Sequence, residues 1–218
     1  MSMKFYDVEQ NSEEWFNLRA GKLTGSAFSK IMANFGKAFG EPAKTIAMNL
    51  AVERITGRPT ASGSFTNAHM ERGHEQEPIA RMLYEDITFS TVKNGGFFCH
   101  GTLGCSPDGL VDDDGVIEIK SVVASTHFKT VSRASFDPAY KWQLIGNLHY
   151  TRREYIDFIS YCADYPENKR LYICTIGKDK VRCEIEQLLD RVNQFQLLIN
   201  SNIESILNAN YEVKYEQV

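Results

Sequence analysis

The sequence predicts a mixed α/β (α+β) fold, with a central β-sheet of mixed strand direction flanked by helices. Capped segments of helical period fill the first 87 residues. Runs of β-formers with turn residues follow, and helices and strands then alternate up to a long amphipathic C-terminal segment. Helices, then a sheet, then further helices give an α/β or α+β core rather than a bundle or a sandwich.

Each element has its own signal. Ser12 precedes EEWFNLRAG, a capped start with Gly21 as the stop. TGSAFSKIMANFG predicts a second helix, and EPAKTIAMNLAVERITG a third, opened by Glu41-Pro42 and closed at Gly57. The segment from Asn67 to Ile87 is helical in pattern, but Pro78 must delay its start or kink it. TFSTVKNGGFFCHG places β-formers around an Asn94-Gly95 turn, and LGCSPDGLVDDDGVIEIKSVV reads as a hairpin. Helices are expected near Ser125–Arg133 and from Pro138 to Tyr150, and strands at EYIDFISYC and RLYICTI. A helix from about Cys183 to Asn208, packed on the rest, completes the fold.

At 218 residues the chain fits a single domain over residues 1–218. No apolar run approaches the roughly 18 residues of a membrane span. The opening MSMKFYDVEQ lacks a signal-peptide pattern, so a cytoplasmic location without membrane contact is expected. The five cysteines form no CxxC pair, which argues against a disulfide framework or a zinc finger and for buried reduced thiols. The five histidines lack paired ligand spacing and read as structural or surface groups, and Phe97, Phe98 and Trp142 read as core. A formal charge of −4 argues against a passive DNA-coating protein, but not against an enzyme with a local basic groove.

The chemistry concentrates in Ser106-Pro107-Asp108-Gly109 and Val116-Ile117-Glu118-Ile119-Lys120. A turn centred on Asp113 sets Asp108 five residues before the centre and Glu118 five after, opposite each other in an antiparallel pair. Period-two alternation then puts Glu118 and Lys120 on one face and Ile117 and Ile119 on the other. Facing carboxylates repel unless a cation lies between them, and Mg²⁺ suits hard oxygen donors and phosphate substrates. Lys120 beside them can hold or deprotonate water, with its pKa lowered by the metal charge. An acidic hairpin ending in E-x-K also reads as a solvated turn, and Asp112–Asp114 are read that way. Glu77 falls on a mostly apolar helix side with Met70, Gly73, Ala80 and Tyr84, and an inward carboxylate needs a partner.

SPDG followed by E-I-K resembles the PD-(D/E)XK nuclease motif. WFNLRAGKLTGS, RGHEQEPIAR and YKWQLIGNLHYT flank it in order. Together, over about Trp15 to Thr151, they resemble the viral-recombinase nucleases of the phage lambda exonuclease (alkaline exonuclease) type. The resemblance implies a restriction-endonuclease-like core and a processive 5′-to-3′ exonuclease acting on the ends of double-stranded DNA. It implies release of 5′-mononucleotides and a 3′ single strand left for recombination. Two Mg²⁺ ions, or Mn²⁺ in their place, would be held by Asp108, Glu118, the Ile119 carbonyl and Glu77. Lys120 would activate water and Gln143 would orient it or a phosphate oxygen. Arg19, Ser26 and Ser106 would hold the 5′-phosphate. A ring-shaped homotrimer and a single-strand annealing partner are further implications. The competing readings are an endonuclease or junction-processing nuclease on the same scaffold, and a non-catalytic recombination-assembly protein.

Overall fold

The computed structural model describes residues 2–60 and 68–209. The side chain of Met70, named above, lies outside the described residues, as does that of His69, one of the five histidines.

The chain opens with β1 (Lys4–Tyr6), α1 (Glu13–Arg19), β2 (Leu23–Thr24), α2 (Gly25–Met32) and α3 (Glu41–Thr56). The Ser12 hydroxyl accepts the Trp15 N–H at 3.2 Å as the cap of α1. Gly21 (φ 70°) and Gly57 (φ 68°) take the left-handed conformations that end α1's turn and α3. α4 (Ala68–Thr88) does not start late, and Pro78 lies inside it. The proline removes the N–H that would meet the His74 carbonyl, and His74 is exposed, so water can serve that carbonyl.

The strands then run β3 (Val92–Asn94), β4 (Phe97–His100), β5 (Leu103–Cys105), β6 (Gly109–Val111) and β7 (Gly115–Ser121). After α5 (Ala124–Arg133), a 3₁₀ turn (Pro138–Tyr140) leads into α6 (Lys141–Thr151). β8 (Tyr155–Tyr161), β9 (Leu171–Gly177) and α7 (Arg182–Leu207) follow.

The central sheet has the order β3-β6-β7-β8-β9 and is mixed, because β7 and β8 are parallel while the other neighbours are antiparallel. A second sheet, β1-β4-β5-β2, is one the sequence did not separate from the first. Asn94-Gly95 is therefore a crossing between sheets and not a hairpin turn. β4 pairs with β5 instead, and Gly96 there approaches the Tyr6 carbonyl so closely that a Cβ would stand 2.4 Å from it.

One face of the central sheet contributes Val116, Ile156 and Phe158 to a large core with α2, α3, α6 and α7. The other buries Ile117, Ile119, Ile159 and Tyr161 against Ala80 and Tyr84 of α4. Phe97 and Phe98 are buried and Trp142 packs at the edge of the core. All five cysteines are free, and Cys183 is exposed rather than buried because it opens α7 at the surface. Among the described residues no helix is long and apolar enough to cross a membrane.

Candidate active site

The β6–β7 hairpin pairs Gly109 with Ile117 and Val111 with Gly115 around an exposed Asp112–Asp114 turn. One further step of that register sets Asp108 opposite Glu118, as the symmetric spacing about Asp113 requires. The Asp108 carboxylate accepts the Ile119 N–H at 2.6 Å. The N–H and C=O of one strand residue leave on the same side, so the Ile119 carbonyl also emerges toward Asp108, beyond the last paired residue of β6. The loop carrying Asp108 is fixed from behind: Gln10 donates to the Pro107 carbonyl at 3.0 Å, and Gly95 passes it without room for a side chain. A Cβ on Gly95 would lie 1.7 Å from that carbonyl oxygen.

Glu118 is 1% exposed, yet both its oxygens are satisfied. Oε1 accepts from Lys120 Nζ and from Gln143 Nε2 at 2.6 Å, and Oε2 accepts from Asn147 Nδ2 at 2.8 Å. Gln143 and Asn147 are one turn apart on α6, so a single helix face presents two amides to one carboxylate. Asn147 was missed in the sequence, although its i+4 spacing from Gln143 within YKWQLIGNLHYT was a usable signal. Gly25, the first residue of α2, packs on this pair; a Cβ there would meet Asn147 Oδ1 at 2.8 Å.

Glu77 approaches from the opposite face of the sheet, on α4. Its carboxyl senses the charges of Asp108, Arg81 and Lys120, which places all four charged groups in one neighbourhood. Arg81, one turn beyond Glu77, donates to the Asp108 carbonyl and was also unforeseen.

The electrostatics follow from crowding anions away from water. Burial, then the Asp108 charge, pushes Glu118 up to about 8 and Glu77 up to about 7. Asp108 has some surface in solvent, but its carboxylate end is desolvated and also raised; Lys120, the Ile119 N–H and Arg81 oppose that rise. Lys120 was expected to be lowered by a metal charge. Burial does press it down, but Glu118 and Asp108 outweigh that and hold the ammonium above its ordinary value. Among the protein's own groups Lys120 is therefore the cation facing these carboxylates, and the lowering expected from a bound metal's charge is a separate effect.

Among the described residues no three acidic, histidine or cysteine side chains already meet in metal-ligand geometry. The donor set nevertheless fits a hard divalent cation. Asp108 and Glu118 supply two carboxylates that repel each other in a desolvated patch, and the Ile119 carbonyl and Glu77 lie within reach of that charge.

Arg19 and Ser106 meet on one side chain. The Arg19 guanidinium lies 3.9 Å from the Trp15 ring centroid, and the Trp15 indole N–H donates to Ser106 Oγ at 2.8 Å. Arg19 also donates to Thr24 Oγ1 at 3.1 Å, and burial lowers its pKa to about 10, leaving it charged at neutral pH. It is thus more than a surface cation at a helix end. Ser26 is exposed on the first turn of α2, two residues beyond Thr24, and is not drawn into this cluster by a hydrogen bond. Trp15 was quoted within WFNLRAGKLTGS but not recognised as the link.

The YqaJ-like viral recombinase domain model matches residues 14–154, which contain every residue of this site. The chain is similar to the alkaline exonuclease LHK-Exo from Laribacter hongkongensis, with 31% identity and a TM-score of 0.79 over 90% of this chain and 96% of that one. LHK-Exo in complex with dAMP gives 30% identity and a TM-score of 0.76, over 90% and 98%. A phage-related exonuclease from Haemophilus somnus 129PT shares the fold at 16% identity and a TM-score of 0.62, over 85% and 96%. No curated protein matches the chain. The chain belongs to the YqaJ-like viral recombinase family, with alkaline exonucleases as its relatives, a restriction-endonuclease-like fold and a nuclease role in recombination.

Proposed function

We propose that this chain, folded as one nuclease domain, is a Mg²⁺-dependent exonuclease that degrades one strand of duplex DNA from its 5′ end. It works processively, releases 5′-mononucleotides and leaves a 3′ single strand for annealing. The observation that carries this reading is the gathering of Glu77, Asp108, Glu118 and Lys120 in one desolvated patch, where each carboxyl feels the charge of the others and of Lys120. A structural ion pair has no need of three carboxylates around one lysine, whereas phosphodiester hydrolysis uses them.

Asp108, Glu118 and the Ile119 carbonyl would hold the metal ions, with Glu77 as a further carboxylate of their shell. When bound, two Mg²⁺ ions, or Mn²⁺ in their place, would supply Lewis-acid stabilisation of phosphate charge and would lower the pKa of the attacking water. The protein's own groups do the rest. Gln143 and Asn147 fix the Glu118 carboxylate, and Lys120 orients the attacking water and, once bound metal charge lowers its proton affinity, accepts its proton. Arg19 and Ser106, joined through Trp15, and Ser26 as a further hydroxyl donor, take the terminal 5′-phosphate and so set the scissile bond. The mononucleotide bound by LHK-Exo supports a product of that size. A homotrimeric ring around the DNA and an annealing-protein partner are carried over from the family resemblance, and a cytoplasmic location is proposed alongside them.

The test is digestion of end-labelled linear duplex beside the same sequence as an intact circle. Labelled mononucleotide from the linear form in Mg²⁺, with the circle untouched, is expected. Cutting of the circle would replace this reading with an endonuclease on the same scaffold. Binding without cleavage in Mg²⁺ or Mn²⁺ would leave a recombination-assembly protein.

A further inference from the structure

α5 begins four residues after Lys120 and carries a face that the site described above does not use. One side is fixed inward by His127, which is fully buried: its Nδ1 lies 2.8 Å from Ser160 Oγ and its Nε2 3.1 Å from the Lys169 carbonyl. The Tyr165 ring meets the imidazole edge-on at 4.6 Å. Ser160 is the register partner of Lys120 across β7 and β8, so this anchor ties α5 to the same sheet face as the catalytic lysine.

The opposite side of α5 is exposed. Ser125, Phe128, Lys129, Ser132 and Arg133 recur at spacings of three and four, a single stripe pointing outward. Phe128 is 63% exposed, an unusual position for a phenyl ring, and α5 contains no acidic residue. In a chain of formal charge −4, an acid-free face with two cations, two hydroxyls and a projecting aromatic is not the surface average. The combination matches what unpaired nucleic acid offers: a base face for the ring and phosphates for the cations and hydroxyls. A duplex keeps its base faces stacked inside, so Phe128 has no use for it.

We propose that the outer face of α5 binds single-stranded DNA beside the catalytic end of β7, with one base stacked on Phe128 and phosphates on Lys129 and Arg133. The strand left unpaired by resection is the occupant, and in this respect the inference rests on the proposed exonuclease reading. Ten residues of helix extend about 15 Å along this face.

Fluorescence anisotropy in EDTA compares a blunt duplex with the same duplex carrying a 3′ single-stranded extension. Wild type should bind the extended probe more tightly. Phe128→Ala should weaken binding to the extended probe by about tenfold, the worth of one stacked base, and leave the blunt probe unchanged. Phe128→Trp should retain the preference. Lys129→Gln with Arg133→Gln should reduce the salt-dependence slope for the extended probe by about 1.4, or 0.7 for each lost phosphate contact. Equal affinity of wild type and Phe128→Ala for the extended probe overturns the proposal. So does a shift in sedimentation mass with DNA binding unaltered, since the face would then meet protein. If wild type still digests linear duplex in either case, the nuclease reading survives; if wild type neither binds nor cuts DNA, both fall.

Discussion

Gly25→Ala is the smallest change that should reach the candidate catalytic carboxylate. The added Cβ would lie 2.8 Å from Asn147 Oδ1, where ordinary contact begins near 3.4 Å, so something must yield by 3.4 − 2.8 = 0.6 Å. Asn147 is 1% exposed and cannot swing into solvent, and its amide is held to Glu118 at 2.8 Å. A shift of that size along the bond would carry the amide to the limit of hydrogen bonding. Losing a hydrogen bond to a charged group costs about 1.5–3 kcal/mol, whereas Gly to Ala on a helix gains at most about 1 kcal/mol. The net loss is therefore about 0.5–2 kcal/mol, or roughly 1–8 °C in Tm for a chain of this size. Misplacing Glu118 by a fraction of an ångström should also slow single-turnover cleavage about tenfold or more. The decisive measurement is a double-mutant cycle. Asn147→Ala removes Oδ1 and opens space, so Gly25→Ala should cost little stability in that background, with a coupling of about 1 kcal/mol or more. Equal effects of Gly25→Ala in both backgrounds would mean that the Gly25–Asn147–Glu118 contact does not transmit strain.

Asp108→Ala should abolish cleavage while leaving the far-UV spectrum and DNA binding intact, and EDTA should do the same to wild type; normal turnover in either case removes Asp108 or the metal from the mechanism. Lys120→Ala should lower the single-turnover rate by about 10²–10⁴-fold, the worth of a positioned acid–base group, and a rate within twofold of wild type would refute its role. A duplex with 5′-hydroxyl ends should release its first nucleotide more slowly than a 5′-phosphorylated one. Arg19→Ala should shrink that preference by about tenfold to a hundredfold, and equal first-cut rates in wild type would exclude the pocket. His149 is held below its ordinary value of 6.5 by burial and by Lys178, His100 and Arg152, so the unfolded chain binds its proton more readily than the folded one. Its contribution to stability is therefore complete above about pH 6.5 and declines below it; urea unfolding of His149→Gln between pH 7.5 and 5 should show a shallower decline than wild type, and identical slopes would exclude this residue as a cause.

The sequence by itself determined whatever depends on spacing along one element. Ser12, Gly21 and Gly57 marked helix ends because caps and left-handed stops are local. Asp108, Glu118 and Lys120 could be placed together because a hairpin's register and the two-residue strand period are arithmetic on one stretch of chain. Only the tertiary structure decided which distant groups complete the site. Asn147 and Gly25 reach Glu118 because α6 and α2 pack on one face of the sheet, and Arg81 reaches Asp108 because α4 packs on the other. Trp15 joins Arg19 to Ser106 across 91 positions of sequence. The second sheet was hidden for the same reason: Asn94-Gly95 has hairpin chemistry, and only the pairing of β3 with β6 and of β4 with β1 makes it a crossing. Lys120's raised proton affinity was equally out of reach, since its sign depends on burial weighed against carboxylates that only packing brings close.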